Sequence, residues 1–173
     1  MALTAPKDRM FDTKIDFNED TREKLIDLCN QQLANNTDLY TQVKQAHWNV
    51  KGIHFFQLHK LFDEVAEVIQ PYSDMIAERV GALGGYAMGT VRMAAQNSSQ
   101  PEYPTDAVAG HEHLEAVIDR VAQYSHSTRE AIKQSEEWGD PTTADMFTEV
   151  SRGVDKQLYF LESHLQAGGV DAQ

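Results

Sequence analysis

The chain has 173 residues, 41% of them hydrophobic and 24% charged, enough for one buried core and too few for two independent ones. Ten glycines and five prolines exclude collagen-like and low-complexity classes, and the apolar runs are too short for a membrane span. Fifteen basic against 27 acidic residues leave a formal charge of −12, which opposes sequence-independent binding to nucleic acid.

Residues 1–18 are mixed, with Pro6 and no periodicity, and read as a flexible N-terminal arm. The first thirty residues carry Lys7, Asp8, Arg9, Asp12, Lys14, Asp16, Glu19 and Asp20 without an apolar h-region, so no secretory leader is expected. The single Cys29 cannot close an intrachain disulfide and suits a reducing compartment. A soluble cytoplasmic domain is the expectation.

A first helix is predicted from Asp20, where Asp20-x-x-Glu23 resembles a capping box, to about Trp48. Leu25, Leu28, Cys29, Leu33, Tyr40, Val43 and Ala46 keep its apolar spacing, and Gly52 is the natural C-cap. A second helix should run from about His54 to Leu83 and close at Gly84-Gly85, with a kink at Pro71. Tyr86–Thr105 is irregular apart from one short helix around Val91–Gln96. A third long helix spans Asp106 to Glu137, with Leu114, Val117, Ile118, Val121, Tyr124 and Ile132 on one face. Asp140-Pro141 starts a fourth, an N-cap followed by proline at the first helical position, and Gly168-Gly169 stops it.

No strand pattern competes, so the fold class is all-α. Residues 19–168 form a four-helix bundle and residues 169–173 a short C-terminal tail. The roughly twenty-residue link between the second and third long helices can cross the bundle, which is the ferritin-like connectivity.

The chemistry concentrates between Lys44 and Arg79. His47 ends the first helix, and His59, Asp63, Glu67, Asp74 and Glu78 share a stripe about 100° wide on the second. Carboxylates alone are as well explained by a solvated face; two histidines at ligand spacing point toward a metal. Asp63 and Asp74 stand roughly 16 Å apart along a straight helix, too far to share an ion within one chain. If they share one, an antiparallel second copy must bring its Asp74 and Glu78 to His59 and Asp63, giving two such sites per dimer. His47 can reach the same site. Nitrogen and carboxylate donors suit iron, manganese or zinc. The Glu-x-x-His pair of intra-subunit di-iron bundles does not occur in this sequence.

The run His47-Trp48-Asn49-Val50-Lys51-Gly52, then Phe55, Leu58-His59, Phe62-Asp63-Glu64 and Asp74-x-x-Ala77-Glu78-Arg79, resembles the signature of the Dps family. These are mini-ferritins, the DNA-binding proteins from starved cells. The likeness continues through Gly84-Gly85, Thr143-Ala144-Asp145 and Asp155-Lys156, over roughly residues 20–167. It implies a hollow dodecamer of two-fold dimers that oxidises ferrous iron at inter-subunit di-iron sites, with hydrogen peroxide as oxidant, and stores ferric mineral. The family's ligands fall on His47, His59 and Asp63 of one subunit and Asp74 and Glu78 of its partner. His59, Asp63 and Glu78 are expected on the first iron, His47 and Asp74 at the weaker position.

Other residues carry two readings each. Lys44 either pairs with a site carboxylate or is an ordinary surface lysine. Trp48 is interface packing or, by the resemblance, a quencher of one-electron oxidants. Glu64 and Glu67 either face the cavity or form a charged face. Glu136, Glu137, Asp140 and Asp145 complement a helix N-terminus or, by the resemblance, line an acidic pore. His54, His111, His113, His126 and His164 read as structural or exposed. DNA binding is expected to be weak or absent, because the arm's lysines and arginine are cancelled by acids and the last nine residues hold neither.

Overall fold

The computed structural model describes residues 10–166. Among them are five helices: α1 (Glu19–Asn49), α2 (Phe55–Ala82), α3 (Val91–Asn97), α4 (Gly110–Glu137) and α5 (Pro141–Glu162). The four long ones form the bundle and the described residues contain no β-strand. α1 packs mainly on α2, α4 on α5, and the short α3 rides on α1 within the crossover. No described helix is long and apolar enough to cross a membrane.

Element ends differ from the sequence reading for local reasons. The cap of α1 is Asn18, whose side chain accepts from Thr21 N, so the helix begins one residue before Asp20. Val50, not Gly52, caps its C-terminus, and Gly52 turns the chain with φ of 114°. α4 begins at Gly110 rather than Asp106. The Glu112 carboxylate accepts from the backbone N–H groups of Val108 and Ala109 (both 2.8 Å), and Lys51 N donates to Val108 O at 3.1 Å. Those bonds hold residues 108–109 extended and pin the crossover to the α1–α2 turn. α5 ends at Glu162, where the Ser163 hydroxyl takes the Tyr159 carbonyl at 2.7 Å. The expected stop at Gly168-Gly169 lies outside the described residues, as do positions 1–9 of the arm and the tail.

Residues 10–17 already contact the bundle. Phe11 N donates to Gly84 O at 2.7 Å, Arg22 donates to both Phe11 O and Leu83 O, and Met10 and Phe17 pack on the core. α2 runs through Pro71 as one element. On its buried side Asn36 of α1 donates to Ile69 O (3.0 Å) and Ser73 Oγ (2.8 Å), fastening the two helices on both sides of the proline.

The interior holds two apolar clusters. One centres on Val43, Phe62, Val65, Ile69, Val117, Val121 and Tyr124, beneath the α1–α2 turn. The other gathers Leu25, Cys29, Leu33, Ile76, Val80 and Phe147 at the opposite end. Burial pushes the Cys29 thiol up to about 12, only partly offset by Arg79. Native protein at pH 8 should therefore resist alkylation by iodoacetamide for hours and react fully once unfolded; mass spectrometry reads the difference.

Candidate metal centre

His47 sits in the last turn of α1 and His59 in the second turn of α2, joined by a tight link. Antiparallel packing brings the two rings face to face, centroids 3.7 Å apart and planes inclined by 22°. Each imidazole bonds to the other residue's backbone. His47 Nδ1 lies 2.7 Å from His59 O, and His59 Nδ1 lies 2.8 Å from His47 O. A carbonyl only accepts, so both Nδ1 atoms must carry the proton. Each Nε2 is thereby left as a lone-pair donor in a fixed ring, the tautomer a metal ligand needs. The His47 carbonyl is also one of the four that the end of α1 leaves without a helical partner, and His59 satisfies it.

Asp63 follows His59 by one turn and is 42% exposed at its side chain. Its Oδ1 lies 2.5 Å from Lys44 Nζ and 3.9 Å from His47 Nδ1. The hydrogen bond from Lys44 holds this carboxyl below its ordinary range, with partial burial opposing and His47 and His59 assisting. Lys44 is thus a partner of the site, which decides between its two sequence readings. Its ammonium also stands 5.9 Å from the centre of the Trp48 ring.

His47, His59 and Asp63 therefore meet at one end of the bundle. Asp74 and Glu78 do not join them: both are exposed and lie three or more turns further along α2. Among the described residues, no three His, Cys, Asp or Glu side chains stand close enough to hold a metal within one chain. Nitrogen and carboxylate donors at the negative end of the α1 dipole fit a divalent cation, but the set is half complete.

The surface around this half-site is apolar. Phe55 and Trp48 are both exposed there, Phe55 with its ring 5.1 Å from that of His59 and Trp48 beside Lys44. Sequence reasoning missed the reciprocal histidine bonds, because they run to backbone carbonyls that carry no residue-type signal.

The remaining candidates divide clearly. Glu64 and Glu67 are exposed on α2, and His54, His111, His126 and His164 are exposed elsewhere. His113 is buried, with the Tyr103 hydroxyl 2.6 Å from its Nδ1. Asp140 is buried too, and accepts from the N–H groups of Thr142 and Thr143 at the start of α5. For Asp140 the helix-capping reading holds, while Glu136, Glu137 and Asp145 stay exposed.

A ferritin-like domain model matches residues 26–168. The DNA protection during starvation protein of Agrobacterium fabrum is 43% identical over 154 residues, covering 89% of this chain and 95% of that protein. Among solved structures, an archaeal Dps homologue from Halobacterium salinarum superposes with a TM-score of 0.87 at 28% identity, over 100% of this chain and 94% of the other. The Dps protein of Vibrio cholerae O1, described as a member of a broad superfamily of ferritin-like diiron-carboxylate proteins, gives 0.82 at 26% identity, over 89% and 96% of the two chains. With its bundle, its crossover helix and its paired histidines beside a carboxylate, the chain belongs to the Dps family of ferritin-like proteins.

Proposed function

We propose that this protein oxidises ferrous iron with hydrogen peroxide at a site shared by two subunits and stores the ferric product inside a dodecameric shell, in the cytoplasm. The carrying observation is the half-site: His47 and His59 stack at one end of α2 with their Nδ1 atoms tied to backbone carbonyls, Asp63 Oδ1 lies 3.9 Å from His47 Nδ1, and Asp74 and Glu78 stand exposed further along the helix. A two-fold antiparallel pairing superimposes one subunit's His47, His59 and Asp63 on its partner's Asp74 and Glu78. The exposed Trp48 and Phe55 beside the half-site suit burial in that interface. Iron is the substrate here. Two ferrous ions give two electrons to one peroxide, which with two protons leaves as two waters, so no hydroxyl radical is released. The chain's own work is to fix two Nε2 lone pairs and a carboxylate that stays ionised at neutral pH.

Anaerobic titration of the apoprotein with ferrous iron, followed by peroxide, tests this reading. His59→Ala and Asp63→Ala should each cut rapid oxidation by about tenfold or more, as loss of a primary ligand does. Glu67→Ala, further along the exposed face, should keep that phase and slow mineral growth at most. Equal loss in all three variants would refute the ligand assignment.

A second reading is suggested by the name of the Agrobacterium relative: a protein that mainly coats DNA. The charge of −12 per chain, repeated over the subunits of a shell, opposes it. A gel-shift with plasmid DNA at neutral pH, low salt and chelated metal should show no retarded complex at submicromolar protein. A retained, salt-sensitive complex would favour the DNA reading.

A further inference from the structure

We propose that the groove between the first half of α1 and the second half of α4 binds short linear diamines, through one buried amide and the acids at its rim. It lies apart from the metal centre: Gln32 is fifteen residues, about 22 Å, from His47 along α1. The groove holds a cavity of about 450 Å³ whose lining includes Asp27, Leu28, Gln32, Glu130, Ala131 and Trp138. Gln32 is only 3% exposed, and its Nε2 lies 2.7 Å from Ser127 Oγ and 3.5 Å from Ser127 O. That carbonyl can only accept, so the amide nitrogen is the end that faces Ser127. The amide oxygen is left buried without a hydrogen-bond partner among the described residues, a costly state for a carbonyl. A ligand that relieves it must bring a donor. The surrounding charge is acidic: Asp27 and Glu130 stand exposed at the rim, while the Lys24 ammonium is held by Asp20 at 2.6 Å. An anion is therefore repelled, and an apolar molecule leaves the oxygen unsatisfied. A primary ammonium has three donors and no acceptor, which matches an amide oxygen and carboxylates. Trp138 adds a ring for the cation, and Leu28 and Ala131 give apolar contact for a few methylenes. With an ammonium at each end, one group takes Gln32 and the other takes the rim acids.

The experiment uses the intact protein carrying Trp48→Phe, which leaves Trp138 as its one tryptophan and makes emission a report on the groove. Titration with 1,4-diaminobutane should give a saturable change in emission, with a midpoint of about 1 mM or below. Butane-1,4-diol, of equal length and uncharged, should bind about tenfold more weakly or worse, the scale of a charged hydrogen bond. The fully N-methylated diamine keeps both charges but has no N–H, and should lose as much. Gln32→Leu, close in size but without the amide oxygen, should weaken diamine binding by about tenfold. Gln32→Glu keeps an acceptor and should bind at least as tightly as the parent. Glu130→Gln should cost about threefold, while Glu136→Gln, an exposed acid outside the groove lining, should cost nothing. Absence of a saturable change, equal binding of the diol or the methylated diamine, or undiminished binding in Gln32→Leu overturns the proposal. Should Gln32→Leu fail to fold, the three ligands compared on the parent and on Gln32→Glu decide it by the same criteria.

Discussion

Mixing His59→Ala subunits with Glu78→Ala subunits is expected to restore rapid peroxide-driven oxidation that neither variant shows alone. In a two-fold dimer each site takes its histidine side from one chain and its Glu78 side from the other. A hybrid dimer therefore has one site with both defects and one with none. Equal, random mixing makes half the dimers hybrid, so about a quarter of all sites should be whole. Within one chain no rearrangement gives that result, because Glu78 is about 28 Å from His59 along α2. Subunit exchange can be verified with a mass-labelled partner, and stopped-flow absorbance then reads the burst amplitude. Verified hybrids with no burst above the parent variants would exclude a shared site. Mixtures of His59→Ala with Asp63→Ala are the internal control: both defects lie on the same half, so no whole site can form.

The bundle was largely legible because periodicity and caps agree along most of the chain. Asp140-Pro141 marks the start of α5, because an N-cap followed by proline is local chemistry. Where a boundary depended on a distant partner, local reading slipped. The start of α4 is displaced to Gly110 by bonds that tie Val108 to Lys51, some 57 residues earlier in the chain. The candidate site shows the same division. His47, His59 and Asp63 could be placed on facing helix ends from spacing alone. What locks the two rings is a pair of carbonyls, and what occupies Asp63 is a lysine nineteen residues upstream. Residue types reveal donors well; they do not reveal which backbone group or counter-ion will meet them after folding.

Asp140→Ala is expected to destabilise the subunit more than any change at the half-site. The Asp140 carboxylate is fully buried between the C-terminal part of α2 and the start of α5. One oxygen accepts from Thr142 N and Thr143 N at 3.0 Å, and the other takes Arg79 Nη2 at 2.6 Å and the Thr143 hydroxyl. Arg79 Nε donates in turn to Thr143 Oγ1 at 2.8 Å. Removing the carboxylate leaves a guanidinium that is mostly buried without its charge partner, and uncaps α5 at the same stroke. Breaking such a pair costs about 3 kcal/mol or more, which lowers the thermal midpoint by roughly 6–12 °C in a chain of this size. Burial pushes the Asp140 carboxyl up, but the bonds from Thr143 and Arg79 outweigh it and hold the group below its ordinary value. A depressed folded value means the stabilisation is complete above the unfolded value of about 3.9, starts to fall there, and is gone below the folded one. The gap between wild type and Asp140→Ala should thus be constant from about pH 5 to 8 and narrow below about pH 4. Asp140→Asn, which keeps an acceptor for the helix cap but loses the charge, should fall between them at neutral pH. Thermal melts followed by helical ellipticity at pH 7 and pH 3 measure both effects. A gap that stays equally wide at pH 3 would show that packing, not the ionised carboxylate, is what α5 loses.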